Sequence, residues 1–160
     1  WFMTMEKEAK LLDSLQVVCF KVGSEEYGIE ILKVQEILKL PKVTKLPKSA
    51  PFIMGVIDLR GKVIPIVNLA KRLNQQASET EGDKRAIVVD IYGKQIGLVI
   101  DTVSHVVKFD AANIEPPPPI IKGISGRYII GVAKHNQGYV VILDIDKIFS
   151  TEELKVLTSA

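Results

Sequence analysis

An internal disulfide is excluded at once, because the 160 residues contain a single cysteine, Cys19. Set in Val17-Val18-Cys19-Phe20, it reads as a small buried hydrophobe and not as a reactive thiol. Histidine is almost as scarce, with only His105 and His135. One cysteine and two distant histidines make no zinc motif of familiar spacing, so no bound metal is expected. Ser104 and His105 are neighbours on a strand and point to opposite faces, which rules out a nucleophile and base pair between them. No glycine-rich loop leads into a helix to cradle a phosphate. The chain is therefore expected to have no catalytic residues and no cofactor, and not to be an enzyme. Aromatics make up 6% of the residues, too few for an RNA-stacking surface. Net charge is only +2, and the lysines at 39, 42, 45 and 48 lack interleaved aromatics, so no nucleic-acid partner is expected. No apolar run approaches the roughly 18 residues that span a bilayer. The start also lacks the basic, apolar and small-residue order of a leader, so a cytoplasmic location without direct membrane insertion is expected.

What the sequence does contain is itself, twice. Phe52 to Leu73 slides forward 76 positions, without a gap, onto Tyr128 to Phe149. Gly55 falls on Gly131, Val56 on Val132 and Asn68 on Asp144. Val18 to Ile37 overlays Ile87 to Val106 at an offset of 69, pairing Gly28 with Gly97, Ile31 with Ile100 and Val34 with Val103. The order of the blocks is kept, so the chain reads as two copies of one module of about 70 residues. A lone module of that size buries limited apolar area and gains from a shared core.

The grammar within each copy is β. Strands are expected at 15–22, 27–31, 34–40, 56–59 and 63–67, then at 85–91, 94–100, 103–109, 128–134 and 138–143. Pro51 to Gly55 reads as a short turn, and Gly61 as the positive-φ position of a tight hairpin. Asp110 is a plausible cap for a helical turn over 110–113. Ser150-Thr-Glu-Glu153 is a capping box that launches a terminal helix. Pro116 to Pro119 reads as a stiff crossover in preference to a polyproline ligand, because it sits where the repeat offset changes. Five short strands per copy argue for two small barrels. The resulting division is a flexible segment over 1–14, a first barrel over 15–73, a linker over 74–83, a second barrel over 84–149 and a C-terminal helix over 150–158. Glu36 and Arg60 stand out as charges on otherwise apolar segments, and copy two lacks them. If their strands are neighbours, carboxylate and guanidinium can pair.

Tyr27-Gly-Ile-Glu-Ile31 with Val34, then Phe52-Ile-Met-Gly55 through Leu59-Arg60-Gly61 to Val63-Ile-Pro65, resembles the CheW-like domain family of bacterial chemotaxis. The Gly-x-x-x-Leu-Arg-Gly-x-x-x-Pro arrangement is specific to that family, and similarity runs from about Leu15 to the C-terminus. The resemblance implies an all-β fold of two intertwined five-stranded SH3-like β-barrels sharing a hydrophobic core, with short helices and a C-terminal helix. It implies an adaptor that couples the histidine kinase CheA, through its regulatory domain, to the cytoplasmic tips of transmembrane methyl-accepting chemoreceptors. The location implied is cytoplasmic, associated with membrane receptor arrays. A regulatory binding domain of another chemosensory or two-component scaffold is the alternative. Carried over by motif, receptor contacts fall on Val34, Glu36, Arg60, Ile87, Val103 and Val106, with Gly55 and Gly61 supporting that face. Kinase contacts are suggested at Leu40, Val43 and Ile124.

Overall fold

The computed structural model describes residues 14–47, 52–73, 84–117, 120–121 and 124–158. The expected flexible segment, apart from Ser14, and the linker over 74–83 lie outside the described residues. Copy one supplies β1 (Ser14–Val22), β2 (Glu25–Glu30), β3 (Val34–Lys39), β4 (Ile53–Leu59), β5 (Lys62–Asn68) and the short helix α1 (Leu69–Arg72). Copy two supplies β6 (Arg85–Ile91), β7 (Lys94–Ile100), β8 (Thr102–Asp110), β9 (Ile114–Glu115), β10 (Ile120–Ile121), β11 (Ile124–Ser125), β12 (Ile129–His135) and β13 (Gly138–Leu143), followed by α2 (Thr151–Thr158). The fold is all-β, two SH3-like barrels with few helices.

Strand order within the sheets corrects the expected division into contiguous barrels over 15–73 and 84–149. One sheet runs β8-β1-β2-β13-β12-β9 and the other β3-β6-β7-β5-β4. Each copy thus lends its first hairpin to strands of the other. The joins are antiparallel ladders of β1 with β8 and of β3 with β6, and short parallel pairings, β2 with β13 at Tyr27↔Val141 and Ile142↔Gly28, and β5 with β7 at Ile66↔Gly97. Their repeated glycines have a common reason. A Cβ on Gly28 would stand 2.3 Å from Val17 Cγ1, and one on Gly97 would stand 2.5 Å from Ile66 Cδ1.

Period-two alternation divides the apolar residues into three cores. Val17 and Cys19 face the inside of one barrel with Phe109, Ala133, Val140 and Ile142. Ile57, Ile64, Ile66, Val88 and Val99 fill the other. The opposite faces of the same strands, Phe20 and Val22 on β1 and Ile87 and Val89 on β6, meet in a larger core shared between the barrels. That core is where the two copies gain the apolar burial that neither achieves alone.

The hairpins turn on left-handed residue pairs: Arg60 and Gly61 (φ 52° and 85°), Tyr92 and Gly93 (50° and 81°), Asn136 and Gln137 (47° and 66°). Two positive φ values in succession match the twist of the flanking strands. Asp58 Oδ1 accepts the Gly61 N–H at 2.9 Å, and Asp90 Oδ1 accepts that of Gly93 at 2.7 Å. Pro51 to Gly55 is not the turn expected there. β4 already begins at Ile53, and Gly55 sits at a bulge where the register against β5 shifts. The Asp110 side chain makes no capping bond to the helical turn that follows it. The capping box is formed: Ser150 N–H donates to Glu153 Oε1 at 2.8 Å, and Glu153 N–H donates to Ser150 Oγ at 3.1 Å.

Arg72 fastens α2 to the body. Its Nε donates to Ile148 O at 2.8 Å, Nη1 and Nη2 grip the Glu153 carboxylate at 2.7 Å each, and Nη2 also reaches Tyr128 Oη at 3.1 Å. The guanidinium carbon lies 5.2–5.6 Å from the ring centres of Phe52, Tyr128 and Phe149. Burial pushes the Glu153 carboxyl up. The Ser150 amide and the Arg72 charge, helped by the Ser150 and Arg72 side-chain hydrogen bonds, outweigh it and leave the carboxyl below its ordinary value.

Candidate functional site

Each barrel has a seam where the ends of its sheet approach without strand pairing, and the polar side chains singled out in the sequence gather there. In the second sheet the end strands are β3 and β4. Glu36, on β3, receives Arg60 from the β4–β5 turn: Nη1 donates to Oε2 at 3.2 Å and Nη2 donates to Oε1. The pairing expected if these strands were neighbours therefore forms, although the strands close the barrel end to end and share no ladder. Left-handed backbone at Arg60 throws its side chain back across the seam. Hydrogen bonding from Glu36, then its charge, holds the Arg60 guanidinium above even its ordinary basicity.

In the first sheet β8 is one end and the two-residue β9 covers only part of the β12 edge at the other, which leaves the equivalent seam between β8 and the end of β12, and the repeat predicts what stands in it. His105 lies 69 positions after Glu36, and His135 lies 76 positions after Leu59. The rings meet, Nε2 to Nε2, at 2.7 Å. Asn136 Nδ2 is 3.2 Å from His135 Nε2, and the His135 ring lies edge-on to Phe109. Two histidines distant in the sequence are thus in direct contact. They belong to different repeat blocks, so comparing each with its own counterpart hid the contact. The Glu36–Arg60 pair, carried forward by the same two offsets, lands on His105 and Asn136, one residue from His135, and is the signal that points to it.

Behind the histidines lie Cys19 and Glu26. Cys19 is opposite His105 in the β1–β8 ladder and opposite Gly28 in the β1–β2 ladder, two residues from Glu26, so all point into the same barrel mouth. One ligand atom each from Cys19, Glu26 and His105 lie within 4.8 Å of one another. The fold thus brings Cys19 and His105 together although their spacing in the sequence matches no familiar zinc motif. Burial, with the Glu26 charge adding to it, pushes the Cys19 thiol up to about 11, so it is a neutral thiol and not a nucleophile.

The residues carried over by motif divide by exposure. Arg60 is exposed and Val106 is 50% exposed. Val34 and Val103 are half-buried against the shared core, and Glu36 is half-buried in its ion pair. Ile87 is corrected: it is fully buried in the shared core, facing away from solvent on β6, and has no surface to offer a partner. A Cβ on Gly55, at φ +150°, would lie 2.1 Å from Thr44 O. Thr44 exchanges both backbone hydrogen bonds with Val56 at 2.9 Å, so the glycine admits the 40–47 segment against β4. Gly131 does the same in copy two, with Glu115 O at 2.8 Å from its would-be Cβ. Gly61 has open space around it and serves the turn alone. Leu40 and Val43 pack on the second barrel's core, whereas the side chain of Ile124 lies outside the described residues.

The class defined by this geometry is a pair of strand-exchanged SH3-like barrels. Comparison with known proteins agrees: the profile of the CheW-like domain matches residues 16–153. The chain belongs to the CheW-like domain family. It is 34% identical over 151 residues to the chemotaxis protein CheW of Treponema pallidum, covering 92% of this chain and 89% of that one. It is 33% identical to the chemotaxis protein CheW of Klebsiella aerogenes, covering 96% and 93%. The crystal structure of the scaffolding protein TtCheW from Thermoanaerobacter tengcongensis superposes with a TM-score of 0.80 at 35% identity, covering 87% of this chain and 90% of that one.

Proposed function

We propose that this protein is a non-enzymatic chemotaxis adaptor that couples the histidine kinase CheA to the cytoplasmic tips of transmembrane chemoreceptors. The observation that carries the reading is the match of nearly the whole chain to the CheW-like domain, with relatives named as chemotaxis and scaffolding proteins. The chain acts in the cytoplasm, held at membrane receptor arrays by its protein partners. No helix of the described residues is long and apolar enough to cross a membrane. The receptor face comprises Val34, Glu36, Arg60, Val103 and Val106, with Gly55 and Gly61 shaping it. The kinase regulatory domain engages Leu40, Val43 and Ile124. Apolar side chains beside a fixed guanidinium suit the flank of an amphipathic helix, which needs anchors and register but no catalysis.

A pull-down with a receptor cytoplasmic fragment and the kinase, each with and without the other, tests the reading. Capture of both in one complex is the expected result. Capture of neither overturns it. Val106→Asp is the cleaner probe of the receptor face because Val106 is half exposed, whereas Val34→Asp also disturbs the shared core. Val106→Asp is expected to lower receptor-fragment affinity while leaving the thermal midpoint near that of the parent protein.

A further inference from the structure

We propose that the mouth of the first barrel is a binding site for a zinc-type divalent cation, ligated by Cys19, Glu26, His105 and His135. The proposal is independent of the adaptor role and rests on side chains that the role does not use. Four features carry it. The donor set of one thiolate, formed as the ion displaces the Cys19 proton to solvent, one carboxylate and two imidazoles is the borderline-soft mixture that tetrahedral zinc accepts. The chain brings it together from four strands, β1, β2, β8 and β12. Bond lengths of about 2.0–2.3 Å around a tetrahedral ion put neighbouring donors roughly 3.3–3.8 Å apart. The observed spacings bracket that range, 2.7 Å between the histidines and up to 4.8 Å among Cys19, Glu26 and His105. Small side-chain rotations bring Cys19, Glu26 and His105 to that spacing, and His135 reaches the group through its contact with His105.

The internal repeat supplies a control inside the same molecule. The counterparts of Cys19, Glu26, His105 and His135 are Val88, Gln95, Glu36 and Leu59. These four also come together, lining one pocket with Arg60 at the second barrel's seam. There the fold puts the same positions in the same place and fills them with an apolar pair, an amide and an ion-paired carboxylate. Barrel geometry thus gathers these four positions in both copies, and the first barrel fills all four with metal-compatible side chains. In that barrel Asn136 takes the position of Arg60 and places its amide nitrogen 3.2 Å from His135 Nε2. With the amide donating, that ring nitrogen is the unprotonated one, and an ion would take its single lone pair in place of the amide.

Access and consequence are both visible. Glu26 and His135 line a solvent-open cavity of about 630 Å³, which gives an ion a way in. A bound ion would cross-link β8 to β12, which share no ladder. It would close the first seam as the Glu36–Arg60 pair closes the second.

The test is Zn2+ titration of the full chain in competition with a chromophoric chelator, alongside Co2+ substitution. One Zn2+ per chain is expected. His105→Ala or His135→Ala is expected to weaken binding by about tenfold or more, and the double variant by more than either. His105 is exposed and His135 half-buried, so their variants are expected to retain the parent far-ultraviolet circular dichroism. Cobalt in the unmodified protein is expected to show a thiolate-to-metal charge-transfer band, which reads Cys19 without altering the core. Zn2+ is also expected to raise the thermal midpoint of the parent and not of the double histidine variant. No stoichiometric binding, binding as tight in the double variant, or a cobalt spectrum without the thiolate band overturns the proposal.

Discussion

At the scale of single residues, the two copy-one glycines make unequal demands. Gly55 combines a φ of +150° with a carbonyl oxygen 2.1 Å from where a Cβ would stand, whereas Gly61, at φ +85°, has open space. Gly55→Ala must move the Thr44 backbone out of its paired bridge, and a loss of about 3 kcal/mol is expected in urea unfolding. Gly61→Ala meets only the left-handed penalty, about 1 kcal/mol. Equal losses at the two sites would show that the 40–47 segment yields freely. Glu36 and Arg60 are a second residue-scale case. Because one ion pair serves both, Glu36→Ala and Arg60→Ala are expected to reduce receptor-fragment affinity by less together than the sum of their separate effects. Additive losses would mean that each touches the receptor independently.

At the scale of elements, α2 owes its position to one arginine. Arg72 makes charged hydrogen bonds to Glu153 that are mostly shielded from water and stacks among three rings. Arg72→Ala is expected to cost about 2 kcal/mol, and Arg72→Lys to recover little of it, since an ammonium cannot grip both carboxylate oxygens and the Ile148 carbonyl at once. Glu153 has its folded pKa lowered, so its contribution is present above the ordinary glutamate range and is lost as pH falls through the lower folded value. Parent and Arg72→Ala stabilities are therefore expected to converge in acid, measured by urea midpoints across that range. The elements themselves were largely legible from the sequence: alternation and turn residues mark most strands within a residue or two, and the capping box forms as read. What alternation does not specify is the partner of an edge. Tyr27 to Ile31 reads as half-buried whether its neighbour is β5 or β13, so alternation did not show the strand exchange, and only the family resemblance implied intertwined barrels. The same limit applies to Ile87, whose motif position said nothing of which face of β6 it occupies. The histidine pair was concealed differently, by two repeat offsets that had to be applied together.

At the scale of the molecule, the exchange makes the two barrels one cooperative unit. Breaking either separates strands of both, and the shared core contains residues from both sheets. A single urea transition is expected, coincident by far-ultraviolet and tyrosine signals. Residues 14–73 expressed alone are expected to lack a stable fold, because β5 is then without β7 and β2 without β13. Two resolved transitions, or a folded fragment, would show that the halves are autonomous.

Interlocking also sets a schedule for the nascent chain. Tyr27 must wait for Val141, 114 residues later, before β2 acquires its parallel neighbour. At a synthesis rate of about 5–20 residues per second that wait is roughly 6–23 s. Throughout it, the edge of β2, with the apolar faces of Tyr27 and Ile29, stands open on the ribosome. The first half of this protein is born as a template for β-addition, and its safe delivery depends on whatever shields that edge until the last hairpin emerges.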